Sequence, residues 1–511
     1  MSGLMDLVIP RLDFLWSVKF WIVFHTVLWL HRYVRLIVHC ISHWTYKSIQ
    51  PLEPNSEKAK FTEKDVTVII PTIHNRPQEL QPSLESIIAC RPAKLVLITT
   101  WNKYDALNRA VSTLRFPDSA PQTIIEVLHV DKANKRLQVC KALEEDHVQT
   151  PITIMADDDV EWPSTLMPWI LAPFEDERMG GVGTCQRVKR VGGDLSTRIF
   201  NWLGAAYIER RNFEISATHN IDGGTSCMSG RTGAYRTEIL KSYDFLGGFK
   251  NERWGKYILN ADDDNFVTRW LVAHQWKTWI QYDPQCEIET TLENGPKFLY
   301  QCSRWARSNW RSNWTSLVHE RYVLTQQLWC TYALHIATFT SLAFLFDPLL
   351  LLSCWWATEN WEMKNRYILL AAEFIFMFCF TKVVKLVGLF RRNPNDIIFL
   401  PVSILFGYFH GFIKLYALCT LKEVDQDRPS VGKSRNFWLT HSQQTSWGSR
   451  EDGDEHNTFR LQEKPPRSQT MATPVGPDLL DSVRLTASSK LHRVTSSTQQ
   501  QNGCTVSTDL L

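Results

Sequence analysis

Asp157, Asp158 and Asp159 form one run of carboxylates, Asp262, Asp263 and Asp264 form a second, and Gln301, Arg304 and Trp305 follow shortly before long apolar stretches. Carboxylates this close repel one another unless a cation compensates, and Mg²⁺ or Mn²⁺ shared with substrate phosphates is the common solution. Gln301, Arg304 and Trp305 fall within about one helical turn. Arg clamps a departing phosphate, Gln hydrogen-bonds it, and Trp offers a flat apolar face against which a sugar ring can stack. The set points to a membrane-associated enzyme that moves a charged, metal-bound group. An acidic surface turn or a helix N-terminus is the competing reading of each triplet. A basic amphipathic helix, continued by Arg307, Trp310, Arg311 and Trp314, competes for the third motif.

The elements that must position these groups follow from the apolar pattern. Residues 66–70, 95–98, 124–128 and 152–156 are short β-branched or apolar runs that read as buried strands, with a helix over 84–88 between the first two. Strands alternating with helices predict an α/β domain with a mostly parallel sheet flanked by helices. The first triplet then emerges at a strand's C-terminal end, the edge where open α/β sheets bind ligands. The second triplet opens an apolar-periodic stretch. Neither a Gly-x-x-x-x-Gly-Lys-Ser/Thr loop nor a Gly-x-Gly-x-x-Gly fingerprint occurs, so phosphates fall to metal and basic side chains. Lys132, Lys135, Arg136 and Lys141 follow the third strand; Lys132 is taken as the diphosphate contact, a solvated helix face being the alternative. Gly223-Gly224 and the stretch from Cys227 through Ser229 and Gly230 to Arg236 form a small-residue loop that permits close backbone approach to a ligand.

The chain has 511 residues, a formal charge of +3 and 12 scattered cysteines without zinc spacing, which argues against nucleic-acid binding, a disulfide framework or a structural metal site. Residues 14–30 are strongly apolar, and a helix of that length spans roughly 26 Å at about 1.5 Å per residue, marginally enough for a bilayer. Arg32 and Arg35 behind it read as positive-inside markers, with the N-terminus outside. Residues 328–356, 367–390 and 397–420 are three further apolar segments. Asp347-Pro348 predicts a kink in the first, with Asp347 facing protein or water and not lipid. Pro401, Gly407, His410, Gly411 and Lys414 interrupt the last, which is expected to lie in the interface.

The opening strand Val68-Ile-Ile-Pro71, the Asp157–Asp159 run, Cys227-x-Ser229-Gly230, Asp263-Asp264 and Gln301-x-x-Arg304-Trp305 stand in the order found in processive family 2 glycosyltransferases. The chain resembles hyaluronan, chitin and cellulose synthases over roughly residues 60–450, and most of all the fungal type 2 polysaccharide-synthase-like enzymes. Ser446-Trp447-Gly448-Ser449-Arg450 resembles the Trp-Gly-Thr-Arg motif of a gating loop over the nucleotide.

The resemblance implies a cytosolic GT-A domain, a UDP-sugar donor, a polysaccharide acceptor, and a plasma-membrane, multi-pass setting in a lipid bilayer. Asp157 and Asp159 would hold Mg²⁺ or Mn²⁺, and with Asp158, Lys132, Gln301, Arg304, Trp447 and Arg450 the nucleotide-sugar diphosphate. Asp264 would be the general base, with Asp263 positioning it. Cys227, Ser229, Gly230 and Trp305 would line the acceptor site. The implied organisation is a transmembrane segment (1–45), a linker (46–64), the catalytic domain (65–315), transmembrane and interfacial helices (316–421), a cytosolic segment with the gating loop (422–461) and a disordered tail (462–511). Two departures stand out. No acidic residue follows the second strand, which leaves Thr99, Thr100 or Asn102 for uridine, and Arg231-Thr232 replaces the Pro-Leu usual in hyaluronan synthases. Transfer to a membrane lipid, and a catalytically dead scaffold, are the other two readings.

Overall fold

The computed structural model describes residues 17–52, 59–74, 77–113 and 123–424. Trp447 and Arg450, the gating-loop residues, and the expected tail lie outside them.

A nine-stranded sheet spans residues 66–290. Its strands are β1 (Val66–Pro71), β2 (Lys94–Thr100), β3 (Ile124–Val130), β4 (Ile152–Ala156), β5 (Val160–Glu161), β6 (Met179–Val188), β7 (Thr232–Arg236), β8 (Lys277–Gln281) and β9 (Glu287–Thr290). The spatial order runs β3-β2-β1-β4-β7-β6-β9-β5, with β8 also on β6. The four expected strands are present and mutually parallel. The sheet as a whole is mixed, because β7 enters antiparallel between β4 and β6.

Helices α1 (Val18–Thr45), α2 (Pro77–Ala89), α3 (Trp101–Thr113), α4 (Lys135–Glu144), α5 (Leu195–Asp222), α6 (Asp263–Ala273) and α7 (Lys297–Trp314) are followed by α8 (Ala343–Ala357), α9 (Met363–Ile375) and α10 (Leu400–Cys419). Alternation along β1 builds two cores. Val66, Val68 and Ile70 join Leu80, Leu84 and Ile87 of α2 on one face, while Ile69 joins Val139 and Leu143 of α4 on the other. Each buried Leu, Ile or Val contributes about 1.5–3 kcal/mol. α5 ends at Gly223, whose left-handed φ of 70° lets its N–H return to the His219 carbonyl. The side chains of Trp202 and Leu203 on α5 and Phe298 on α7 meet Leu389, Phe399 and Ile413 in a third core that joins the sheet domain to the apolar helices.

Among the described residues, Met363–Arg392 and Pro394–Cys419 are long and apolar enough to cross a membrane. Leu328–Thr340 and Ala343–Ala357 pass together as a pair bent by 91°. The break falls at Ser341-Leu342, not at Asp347-Pro348: Lys414 Nζ donates to Ser341 Oγ at 2.9 Å there, and Pro348 sits inside α8. Asp347 is buried and accepts from Arg32, from Lys382 (2.7 Å) and from the Tyr408 hydroxyl (3.0 Å), so it faces protein.

α1 falls short of the apolarity that marks the other spans. Its outer face nevertheless carries Ile22, Val23, Val27, Leu30, Val34, Ile37 and Ile41 at helical spacing. Arg32 and Arg35 point inward, to Asp347 and to the Ala333 carbonyl. The polar residues of α10 are internal too. His410 and Lys414 line a cavity, and Gly411 leaves room for the Phe344 ring, so they do not by themselves argue for an interfacial helix.

Candidate active site

The carboxyl edge of β4 delivers Asp157, Asp158 and Asp159 into a cleft of about 120 Å³. The start of α6 delivers Asp263 and Asp264 from the other side, and α7 delivers Gln301, Arg304, Trp305 and Ser308 from one face at i, i+3, i+4 and i+7. Ser229, Gly230 and Arg231 close it. The two triplets and the α7 motif therefore share one site.

Within each triplet the carboxylates have separate tasks. Asp158 is buried; Thr72 Oγ1 donates to it at 2.6 Å and His74 Nε2 lies 3.7 Å away, so it fastens the end of β1 more than it faces a ligand. Asp157 accepts from Lys135 Nζ at 2.7 Å, and Asp159 accepts from Thr291 Oγ1 at 3.1 Å. Asp262 is buried with a left-handed φ of 65° and is held by Arg311 Nε at 2.7 Å and Nη2 at 3.1 Å and by the Ser308 hydroxyl. Burial opposes its charge, but Arg311 and Ser308 outweigh that and hold its carboxyl below the usual range. Arg311→Met leaves this carboxylate buried and unpaired, and is expected to cost about 3–5 kcal/mol in chemical denaturation.

Lys135 bridges the triplets, with Nζ 2.7 Å from Asp157 and 3.1 Å from Asp263. Burial works against its charge, but Asp157, Asp263 and Asp264 prevail and raise its pKa. Lys132, expected as the diphosphate contact, is exposed and does not line the cleft. The reason is local. Asn134 caps α4, accepting from the Leu137 N–H, so Lys135 starts the helix at the ligand edge while Lys132 stays in the preceding turn. Arg136 beside it is fully buried and donates to the Phe249 and Ala261 carbonyls, fixing the approach to the second triplet.

Asp264 Oδ2 accepts from the Gly230 N–H at 3.3 Å and Oδ1 from the Asn265 N–H at 2.8 Å. Burial and the neighbouring Asp263 carboxylate push its pKa up. Burial also acts on Asp263, but Lys135 and Arg136 hold that carboxyl down. Two adjacent carboxyl groups are thus driven in opposite directions by their surroundings. A Cβ at Gly230 would stand 3.2 Å from Lys135 Nζ and 3.4 Å from Asp264 Cβ, so the glycine leaves room for both side chains at the cleft. Cys227 does not line the cleft; it is buried, its thiol donates to the Met228 carbonyl at 3.6 Å, and burial and the nearby Asp264 carboxylate push its pKa well up.

Gln301 is buried, and its Oε1 has no partner among the described residues. Trp305 stacks on Tyr207 at 5.1 Å and carries the Arg231 guanidinium 5.5 Å above its ring. Arg231 also donates to Gln186 Oε1 at 3.0 Å. Arg231 and Tyr207 were not among the expected site residues; the departure from Pro-Leu was the signal for the first, and nothing marked the second. Of the expected uridine contacts, Thr100 donates to Asn102 Oδ1 at 2.6 Å, and Thr99 Oγ1 is buried without a partner among the described residues. None of the three lines the cleft.

A profile described as "Glycosyltransferase like family 2" matches residues 64–308, the part that builds this cleft. A "Type 2 glycosyltransferase" of Gibberella zeae is 64% identical over 93% of this chain and 84% of its own length. The chain belongs to the type 2 glycosyltransferases. A second fungal relative of the same description, from Pyricularia oryzae, is 62% identical over 89% of this chain and 87% of its own. "Hyaluronan synthase 1" of Xenopus tropicalis is 24% identical over 33% of this chain and 30% of its own. The catalytic half of this glycosyltransferase is thus a GT-A-like mixed sheet with helices, and the fungal enzymes match it far more fully than the synthase does.

Proposed function

We propose that this glycosyltransferase transfers a sugar from a UDP-sugar to the end of a growing cell-wall or extracellular polysaccharide, with inversion at the anomeric carbon and export through the apolar helices. The observation that carries the reading is the position of the Trp305–Tyr207 pair. Trp305 lines the carboxylate cleft, and Tyr207 lines a second cavity of about 380 Å³ that runs among α1, α5, α7 and α10. A stacked pair of rings between a transfer site and a larger cavity, lined by apolar residues together with Arg210, Glu214, Lys385 and Lys414, suits a chain that must leave the site after each addition.

In the proposed step Asp264 removes the proton from the acceptor hydroxyl, whose oxygen attacks the anomeric carbon as the bond to the diphosphate breaks. UDP departs with the negative charge, toward donors from Lys135, Gln301 and Arg304. The cleft is rich in hard carboxylate oxygens, which fits Mg²⁺ or Mn²⁺ held by Asp157 and Asp159. Such an ion, when bound, neutralises diphosphate charge. Trp305 holds the acceptor ring in register.

The setting is read as a membrane, with the catalytic domain on its cytosolic side. Arg392, which closes one candidate span, lies 3.2 Å from Glu287 of β9 in the catalytic sheet. Both ends of Pro394–Cys419 are tied to that domain, Asp396 to Arg190 at 2.9 Å and Thr420 to Arg307 at 3.2 Å. Those anchors support an α10 that lies along the domain, although its length and composition would also allow it to cross.

UDP release across a panel of nucleotide sugars with Mg²⁺ or Mn²⁺, followed by sizing of the product, tests the reading. Polymer is expected; a single sugar on a lipid, with no polymer, would sink it. Trp305→Ala is expected to keep donor hydrolysis within about threefold while lowering polymer formation at least tenfold, since stacking on an aromatic face is worth roughly 1–3 kcal/mol in other ring systems.

A further inference from the structure

Away from the cleft, His25 of α1, Cys354 of α8 and Glu373 of α9 converge. One ligand atom from each, a nitrogen, a sulfur and a carboxylate oxygen, lies within 4.8 Å of the others, the one such set among the described residues. Cys354 and Glu373 are buried, and His25 is partly so.

The hydrogen bonds around the set orient it. Ser353 Oγ donates to the Leu350 carbonyl at 2.9 Å, which leaves it an acceptor for His25 Nδ1–H at 3.0 Å. That tautomer turns the unprotonated Nε2 toward Glu373 Oε2, 4.0 Å away, so two electron-rich atoms face each other at more than hydrogen-bond distance. Glu373 Oε1 is buried with no hydrogen-bond partner among the described residues. A second bond that fixes the ring while its free nitrogen faces other donors is how metal-ligating histidines are held.

We infer that these three side chains bind a zinc-class divalent cation that staples α1 to α8 and α9. The donor set is imidazole, thiolate and carboxylate, which suits zinc and not magnesium or calcium. Edges of 4.8 Å or less put the centre no more than about 2.8 Å from each atom, roughly 0.5–0.8 Å beyond zinc–ligand distances of about 2.0–2.3 Å. Binding releases the thiol proton and, where it is present, the carboxyl proton. The thiolate and carboxylate then balance the two positive charges, so the site is neutral overall, the form an apolar helix bundle tolerates best. The staple would hold α1 in the register that aims Arg32 at Asp347 and Arg35 at the larger cavity. The inference does not depend on the proposed reaction.

The full chain in detergent, kept in saturating Mg²⁺ to occupy the aspartate cleft, is equilibrated with Zn²⁺, desalted and analysed for metal, beside Cys354→Ser and the near-isosteric Glu373→Gln. Wild type is expected to retain one zinc per chain more than Cys354→Ser, and Glu373→Gln to bind zinc at least tenfold more weakly. Cobalt-loaded wild type is expected to show a thiolate-to-cobalt charge-transfer band that Cys354→Ser lacks. Monodisperse elution verifies folding, and Glu373→Gln alone carries the comparison should the serine variant aggregate. Equal zinc in all three chains, or no cobalt–thiolate band in wild type, overturns the site.

Discussion

Asp264→Asn is expected to lower kcat for sugar transfer by roughly 10²–10⁴-fold, the loss that follows removal of a general base, with donor binding little changed. Asparagine keeps the shape, and its single oxygen accepts from one of the Gly230 and Asn265 N–H groups, but it does not take a proton. The same geometry predicts a pH signature. The base works ionised, and burial together with the Asp263 charge raises the Asp264 pKa, so the acid limb of kcat/KM should lie above that of an ordinary carboxylate. Asp263→Asn removes the neighbouring charge, lowers the Asp264 pKa and should move that limb to lower pH. UDP release and polymer yield measured across pH for the three chains test both statements. Turnover by Asp264→Asn equal to wild type would remove Asp264 from the base role, and a limb that stays put in Asp263→Asn would remove the electrostatic account.

What could be read ahead of the structure divides along physical lines. The first four strands of the nine-stranded sheet, the helix that opens at the second triplet and the α7 motif were legible because apolar periodicity and i, i+3, i+4 spacing encode local geometry. Lys135 was in view but passed over for Lys132; an Asn134 cap decides which of two lysines three residues apart reaches the cleft, and a cap is a weaker signal than a motif. The separation of tasks inside each triplet was not legible at all. Asp158 finds Thr72, and Asp262 finds Arg311, across 86 and 49 positions of chain, and no spacing encodes such partners. The inward turn of Arg32 and Arg35 has the same origin. A cation beside an apolar run reads as a topology marker, and nothing in that run shows that Asp347, far along the sequence, meets it.

Lys135→Met should destabilise the chain strongly while leaving every carboxylate of the cleft in place. Lys135 Nζ is the shared partner of Asp157 and Asp263, and its side chain is 11% exposed. Removing one member of a buried pair leaves an uncompensated charge, at a cost of about 3–5 kcal/mol; because Asp157 is 26% exposed, the lower end applies. The pKa of Lys135 is raised, so its contribution is fully present below the unfolded value of about 10.4 and fades only above it. A denaturation experiment at neutral pH therefore reads the whole effect. Mn²⁺ or Mg²⁺ would compensate the same carboxylates, and ligand binding to the folded state raises its stability in proportion to occupancy. The variant should gain more in Tm from the ion than wild type does. Its turnover at saturating ion should stay roughly 10²-fold down, because a donor to the departing diphosphate is gone. Lys132→Met is the control: that side chain is exposed, and its replacement should move stability by no more than about 0.5 kcal/mol and leave turnover unchanged. Equal loss in both variants would mean that charge near the cleft matters and the bridge does not. Loss confined to Lys135→Met, with stability recovered by the ion and turnover not, would assign one lysine two separable duties: holding the two triplets together while the cleft is empty, and receiving the diphosphate when it is filled.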